Sequence, residues 1–290
     1  MIARFGGLLA CALVMSTQID AAGAASMQQP PPPQRILLVG DSTAETIYPF
    51  LRDAAAAHGI DVQSAARIGC GVTDGAPKHD DGRPYIDYFG DTSQCAGITS
   101  SLQDTLLARQ RPDTIVWMSG WESWPNRELD GQLVQFGTIA GNKAIRAHID
   151  TAVARLTASG ARLVMLPVAP NAYPSARGLL NAQGDARLAD LAKLLRSYAA
   201  RHPDKVSLID VPTILRCPIE DRCPDEVAPG VRPRALDGFH FDGDGAVWLV
   251  NQLTGILLGT TPPPAGPAVP ECAQASVGSG SLVARGAKCA

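Results

Sequence analysis

The sequence predicts an α/β domain: three layers, with a central parallel sheet of about five strands covered by helices on both faces. Two observations carry this. Short apolar runs of the kind that form buried strands alternate with longer stretches of helical character. The chain has 290 residues and is 46% hydrophobic, enough for one large domain even after its two unlike ends are set aside.

The elements follow in order. Arg35-Ile-Leu-Leu-Val-Gly40 suits a buried strand, and a helix runs from Thr43 to His58, where Gly59 stops it. Val62 to Arg67 forms a second strand. Gly69 to Thr99 reads as a long irregular loop, a length that in a compact domain usually marks function. Ser100 to Gln110 is helical, Thr114 to Met118 a third strand, Ala140 to Ser159 a long helix and Arg162 to Val168 a fourth strand. Asp185 to Arg201 is helical, Val206 to Asp210 a fifth strand, and Asp244 to Leu258 a closing helix capped by Asp242 or Asp244. No internal repeat is present.

The ends differ from this pattern. Arg4, the apolar run Phe5 to Met15 and the small residues Ala21 to Ser26 have the layout of a cleaved signal peptide, residues 1–26. A second reading makes Cys11, after Leu8-Leu9-Ala10, a lipidated cysteine. Residues 27–34 form a Pro-rich linker, 35–259 the domain, and 260–290 a tail rich first in Pro and then in Gly and Ser. No other stretch is long and apolar enough to cross a membrane, so the expected location is secreted or periplasmic. Setting Cys11 aside leaves six of the seven cysteines, an even number that suits an oxidising compartment. Proximity favours Cys70–Cys95, Cys217–Cys223 and Cys272–Cys289. The C-x-x-C spacing of a zinc site is missing, and no metal or other cofactor is expected. With 25 basic against 28 acidic residues and 5% aromatics, neither a basic stripe nor a base-stacking surface exists, which argues against nucleic acid as a partner. Nothing in the sequence fixes an oligomeric state.

In open α/β sheets the site lies at the carboxyl ends of the strands. The first such end reads Gly40-Asp41-Ser42, placing a hydroxyl where strand turns to helix, beside backbone N–H groups that favour a developing negative charge. By itself this serine could equally be a helix N-cap. Asp237-Gly-Phe-His240, just ahead of the last helix, supplies what a serine nucleophile needs: a base, and a carboxylate to orient it. His58 and His202 sit at helix ends, His148 on a polar helix face and His79 in the long loop; none has a carboxylate at this spacing in such a position. Other motif readings fail. Gly40 to Ala44 approximates a nucleophile elbow but follows the wrong strand. Asp242-Gly-Asp244-Gly245 lacks the remaining calcium ligands, and Gly69 to Gly75 has the wrong spacing for a dinucleotide fingerprint.

Gly40-Asp41-Ser42 after the first strand and Asp237-x-x-His240 before the last helix together resemble the SGNH, or GDSL-like, hydrolases, over about residues 35–258. The resemblance implies a flavodoxin-like sheet, with Ser42 as nucleophile, His240 as base and Asp237 as its orienter. It implies an oxyanion hole built from the Ser42 N–H, a loop glycine (Gly69 rather than Gly71) and an asparagine. Where that asparagine is expected the chain reads Gly120-Trp121-Glu122. An ionised glutamate facing the site would oppose the oxyanion, and a backbone N–H between Trp121 and Ser123 would be its substitute. This third block, with cysteines in the loops, is similar to extracytoplasmic SGNH domains fused to membrane acyltransferase-3 proteins, which implies a membrane acyltransferase as a candidate partner. Trp121 and Trp124 are candidates to line a sugar or acyl pocket, as are Tyr85, Tyr88 and Phe89, whereas Trp117 reads as strand core. The function implied is a serine esterase acting on acyl, above all acetyl, esters of small molecules or polysaccharide. The alternatives are an O-acyltransferase using the same three residues and a carbohydrate-binding module that has lost turnover.

Overall fold

The computed structural model describes residues 32–84, 86–87, 90–91, 95–170, 182–217 and 223–261. In chain order the elements are β1 (Arg35–Gly40), α1 (Ser42–Ala56), β2 (Asp61–Ser64), β3 (Ala76–Lys78), β4 (Ile86–Asp87), β5 (Gly90–Asp91), α2 (Cys95–Gln110), β6 (Thr114–Met118), β7 (Asn126–Leu129), β8 (Gln132–Val134), α3 (Ile139–Leu156), β9 (Arg162–Leu166), α4 (Ala182–Arg201), β10 (Val206–Leu208), α5 (Val211–Ile214) and α6 (Gly243–Leu257).

Five strands form the central sheet in the order β10-β9-β6-β1-β2, every pair parallel. Successive side chains on a strand point to opposite faces, so each strand feeds two cores. On one face Ile36, Leu38, Val116 and Met118 pack with Ile47 and Leu51 of α1 and Leu249 and Leu253 of α6. On the other, Leu37, Val39, Ile115 and Trp117 meet Ile145 and Ile149 of α3 and Leu191 and Leu195 of α4. The expected three layers are present, and Trp117 is core, 1% exposed.

The sheet turns back on itself between β1 and β6: the chain proceeds outward to β2 on one side and to β9 and β10 on the other. At such a switch point the connections leave in opposite directions and open a crevice beyond the strand ends. Gly40 and Met118, the last residues of β1 and β6, are register partners there.

The long loop is more regular than expected. Its β3 segment pairs antiparallel with β7, and β7 with β8, making a three-stranded sheet beside the main one. The β7–β8 turn is Asp130-Gly131, both at positive φ (50° and 74°), as a two-residue hairpin turn requires. At the start of α2, Ala96 (ψ 121°) and Gly97 (φ 75°) break the first turn, so continuous helix begins close to the expected Ser100. Two disulfides are formed, Cys70–Cys95 and Cys217–Cys223. Cys272 and Cys289 lie outside the described residues, as do the expected signal peptide and most of the tail.

Candidate active site

Ser42 is the first residue of α1, and the helix cap is its neighbour. Asp41 Oδ1 accepts from the Thr43 N–H at 2.8 Å and the Thr43 hydroxyl at 2.6 Å. The capping task is therefore done by Asp41 and not by Ser42. The Ser42 Oγ lies instead 2.8 Å from His240 Nε2.

His240 is presented by a tight loop that Asp237 organises. Asp237 Oδ1 accepts the Phe239 and His240 N–H groups at 2.8 and 2.9 Å, and Gly238 takes the positive φ (77°) that this turn needs. Oδ2 is then 2.6 Å from His240 Nδ1. Burial of Asp237 works against its charge, but the bonds from the His240 ring and the two backbone N–H groups prevail, holding its carboxyl well below the usual carboxylate range. An ionised Asp237 accepts from Nδ1–H, which fixes the tautomer in which Nε2 is free to take a proton from Ser42.

Arg234, which sequence reasoning passed over, anchors this loop. Its buried guanidinium donates to the Phe239 carbonyl and to Ala169 O (3.0 Å) just past β9, and lies 4.2 Å from the Phe241 ring. Its only signal in the sequence is position, three residues before Asp237.

Gly69, the glycine the family resemblance offers as an oxyanion donor, adopts φ 70° in the turn after β2. The Cys70–Cys95 bridge follows directly, with Cys95 Sγ 3.3 Å from Gly69 O. The Gly120–Trp124 turn differs from expectation in two ways. First, four of its N–H groups are engaged. Those of Gly120 and Trp121 donate to Asp41 Oδ2 (2.7 and 3.1 Å), and those of Ser123 and Trp124 to Gly120 O (3.1 Å each), so neither Trp121 nor Ser123 offers a spare backbone donor. Second, Glu122 is 1% exposed and turned inward, its Oε1 accepting the Val72 N–H at 2.5 Å. Its side chain is long enough to reach the Val72 and Thr73 N–H groups of the loop. Burial pushes its carboxyl upward, with the buried Arg127 guanidinium pulling the other way. Gly71 sits against these two side chains.

Trp121 and Trp124 meet edge to face, ring centres 5.0 Å apart; Trp121 is buried and Trp124 half-buried. Of the pair, only Trp124 has surface to offer a ligand. Tyr85, Tyr88 and Phe89 fall outside the described residues. Among the described residues no cluster of His, Cys, Asp and Glu could hold a metal ion, and no helix is long and apolar enough to cross a membrane.

Residues 11–255 match the family model described as the SGNH domain fused to AT3 domains. The chain belongs to this SGNH family. No curated protein matches it significantly. Among solved structures, the SGNH chain is similar to the M. smegmatis aryl esterase (15% identity, 78% of this chain and 99% of the other, TM-score 0.50). It is also similar to a carbohydrate acetylesterase family member from Sinorhizobium meliloti (18%, 78% and 99%, TM-score 0.49). A third is the periplasmic domain of the lipopolysaccharide acetyltransferase of Salmonella ser. Paratyphi A (14%, 78% and 84%, TM-score 0.48).

Proposed function

We propose that this chain is an extracytoplasmic serine esterase acting on acyl esters, above all acetyl esters of carbohydrate, with Ser42 as nucleophile, His240 as general base and acid, and Asp237 as the orienter of His240. The observation that carries this reading is the unbroken line Asp237 Oδ2–His240 Nδ1 (2.6 Å) and His240 Nε2–Ser42 Oγ (2.8 Å) at the switch point of the sheet. The two disulfides favour an oxidising compartment, in keeping with a signal peptide over residues 1–26.

In this mechanism Ser42 Oγ attacks the ester carbonyl carbon as its proton passes to His240 Nε2. Negative charge gathers on the carbonyl oxygen, where the Ser42 and Gly69 N–H groups receive it. The imidazolium, stabilised by the Asp237 carboxylate, then protonates the departing alkoxide oxygen and leaves an acyl-Ser42. Water gives a proton to His240 and attacks that acyl group; the acyl–Oγ bond breaks, Ser42 Oγ takes the proton from His240, and the acid departs. A sugar hydroxyl in place of water gives acyl transfer by the same steps. The match to a family of domains fused to membrane acyltransferases favours that second reading, with a membrane acyltransferase as the donor's source.

Intact-protein mass spectrometry after brief exposure to an aryl acetate or a serine-directed phosphonate tests the reading. One adduct per chain is expected, carried by Ser42 and lost in Ser42→Ala. A folded Ser42→Ala protein that keeps wild-type turnover would reduce Ser42 to a structural residue and leave a binding module.

A further inference from the structure

We propose that Glu122, paired with Arg127, is a positioning residue that frames the oxyanion loop, holding the Gly71–Thr73 backbone in place instead of acting on the substrate. The inference rests on the catalytic reading above, because the loop bears on a reaction only if Gly69 donates to an oxyanion.

The two side chains divide the polar groups of the loop between them. Glu122 Oε1 takes the N–H groups of Val72 (2.5 Å) and Thr73 (3.3 Å). Arg127, from β7, donates through Nη2 to the carbonyls of Thr73 and Gly75, both at 2.8 Å, and through Nη1 to Trp121 O at 2.8 Å. The last bond ties the guanidinium to the turn that carries Glu122. Each residue is 1% exposed. Burying each charge is costly, and the opposite charge nearby together with the bonds just given offsets that cost in part.

Gly71 lies between them. A Cβ on that residue would stand 2.6 Å from Glu122 Oε1 and 2.8 Å from Arg127 Nη1, and both atoms are already committed to backbone partners. Glycine lets the loop close onto the pair. Upstream, the Cys70–Cys95 bridge ties the loop to the start of α2. The Gly69 N–H is thus bracketed by a covalent anchor one residue away and by an ionic frame starting two residues beyond it.

An oxyanion hole works because its donors do not have to reorganise when charge develops. A loop with free N–H and C=O groups would have several alternative arrangements. A loop whose N–H groups end on a buried carboxylate, and whose carbonyls end on a buried guanidinium, has one. Where the family resemblance anticipates an asparagine that donates directly, this chain uses a longer side chain that accepts, from behind. Its effect is expected in the transition state, hence on kcat more than on KM.

The test compares the full chain with Glu122→Ala, Glu122→Asn, Glu122→Gln and Gly71→Ala, each assayed below its unfolding transition. The readouts are steady-state hydrolysis of an aryl acetate and backbone amide exchange in the peptide covering residues 69–75. Glu122→Ala, Glu122→Asn and Gly71→Ala should lower kcat roughly tenfold or more with KM within about threefold. All three should speed exchange at residues 72–73. Glu122→Gln keeps an acceptor oxygen of the right reach and should restore most of the rate and the protection, which a role in stability alone would not link. Glu122→Asn turning over as fast as wild type would overturn the proposal, because the amide would then be reaching the oxyanion. Unchanged exchange in Glu122→Ala would overturn it as well. Should Glu122→Ala fail to fold, the Asn and Gln variants decide. If Ser42→Ala is dead while Glu122→Ala is fully active, the frame fails and the catalytic reading stands. If the wild-type chain cleaves no ester, the catalytic reading fails and the exchange data still judge the frame.

Discussion

Asp41 Oδ2 accepts the Gly120 N–H at 2.7 Å, joining the residue before Ser42 to the turn after β6. The same oxygen takes the Trp121 N–H (3.1 Å) and the Ser119 hydroxyl (3.1 Å), while Oδ1 caps α1 through Thr43. One fully buried carboxylate therefore sets the separation of the two strand ends that form the crevice. It also engages the Gly120 and Trp121 backbone donors of the third block.

Asp41→Asn should consequently damage both stability and activity. An amide presents a donor where one carboxylate oxygen stood, so it faces at least one of these N–H groups with another N–H. Leaving a buried donor unsatisfied costs about 1–3 kcal/mol, and a loss at the upper end is expected because the lost bonds were charge-assisted. Urea unfolding followed by circular dichroism measures it. A wild-type midpoint would mean that the side chain does not bear on the junction.

Gly40→Ala should be worse than its size suggests. The added Cβ would lie 1.9 Å from the Met118 carbonyl oxygen, a backbone atom of the neighbouring strand, and 2.6 Å from Ala44 Cβ. Neither can move without parting β1 from β6 or lifting α1 from the sheet. Overpacking of this kind costs about 1–3 kcal/mol, which for a domain of this length is a fall of roughly 2–12 °C in melting temperature. Differential scanning calorimetry checks it, and an unshifted transition would refute it. The glycine of the Gly-Asp-Ser motif is thus a packing requirement of the strand junction.

The main sheet could be read from the sequence because strands such as Leu37 to Val39 and Ile115 to Trp117 are buried on both faces and appear as unbroken apolar runs. The small β3-β7-β8 sheet could not. Its β8 strand Gln132–Val134 is largely exposed, so no apolar run marks it, although Asp130-Gly131 was a hairpin signal in plain view. At the site, Asp237 and His240 were readable because their contact is local, three residues apart. The direction of Glu122 depends on Val72, fifty residues away along the chain, and the role of Arg127 on carbonyls of the same distant loop. Spacing in a sequence carries no information about such partners.

The disulfides make a prediction that reaches beyond the described residues. Peptide mapping of non-reduced protein should recover Cys70–Cys95 and Cys217–Cys223, and we expect the remaining pair, Cys272–Cys289, to be joined as well. Replacing Cys70 and Cys95 together by serine frees a loop of 25 residues' separation, for which chain entropy implies a loss of about 3.5 kcal/mol. Since the bridge adjoins Gly69, kcat should fall with stability. A map joining Cys70 to Cys272 or Cys217 would overturn this arrangement.

The final prediction concerns Asp237 and pH. Its hydrogen bonds hold the folded-state carboxyl well below the range of an unfolded aspartate, about 3.9. A group whose folded value is depressed contributes stability that is fully present above the unfolded value and is lost as pH falls through the folded one. Wild type should therefore lose more stability than Asp237→Asn between about pH 5 and pH 2, and the two curves of unfolding free energy should converge at the acid end. Activity gives a second reading. Asp237→Asn also puts an amide beside Nδ1, which can stabilise the wrong imidazole tautomer. We expect kcat to fall about 10⁴-fold in that variant, less than in Ser42→Ala, while Ser42→Ala/His240→Ala should be little worse than Ser42→Ala. Parallel pH-stability curves for wild type and Asp237→Asn would show that the short Asp237–His240 contact does not persist in solution, and with it the orientation of His240 would lose its support.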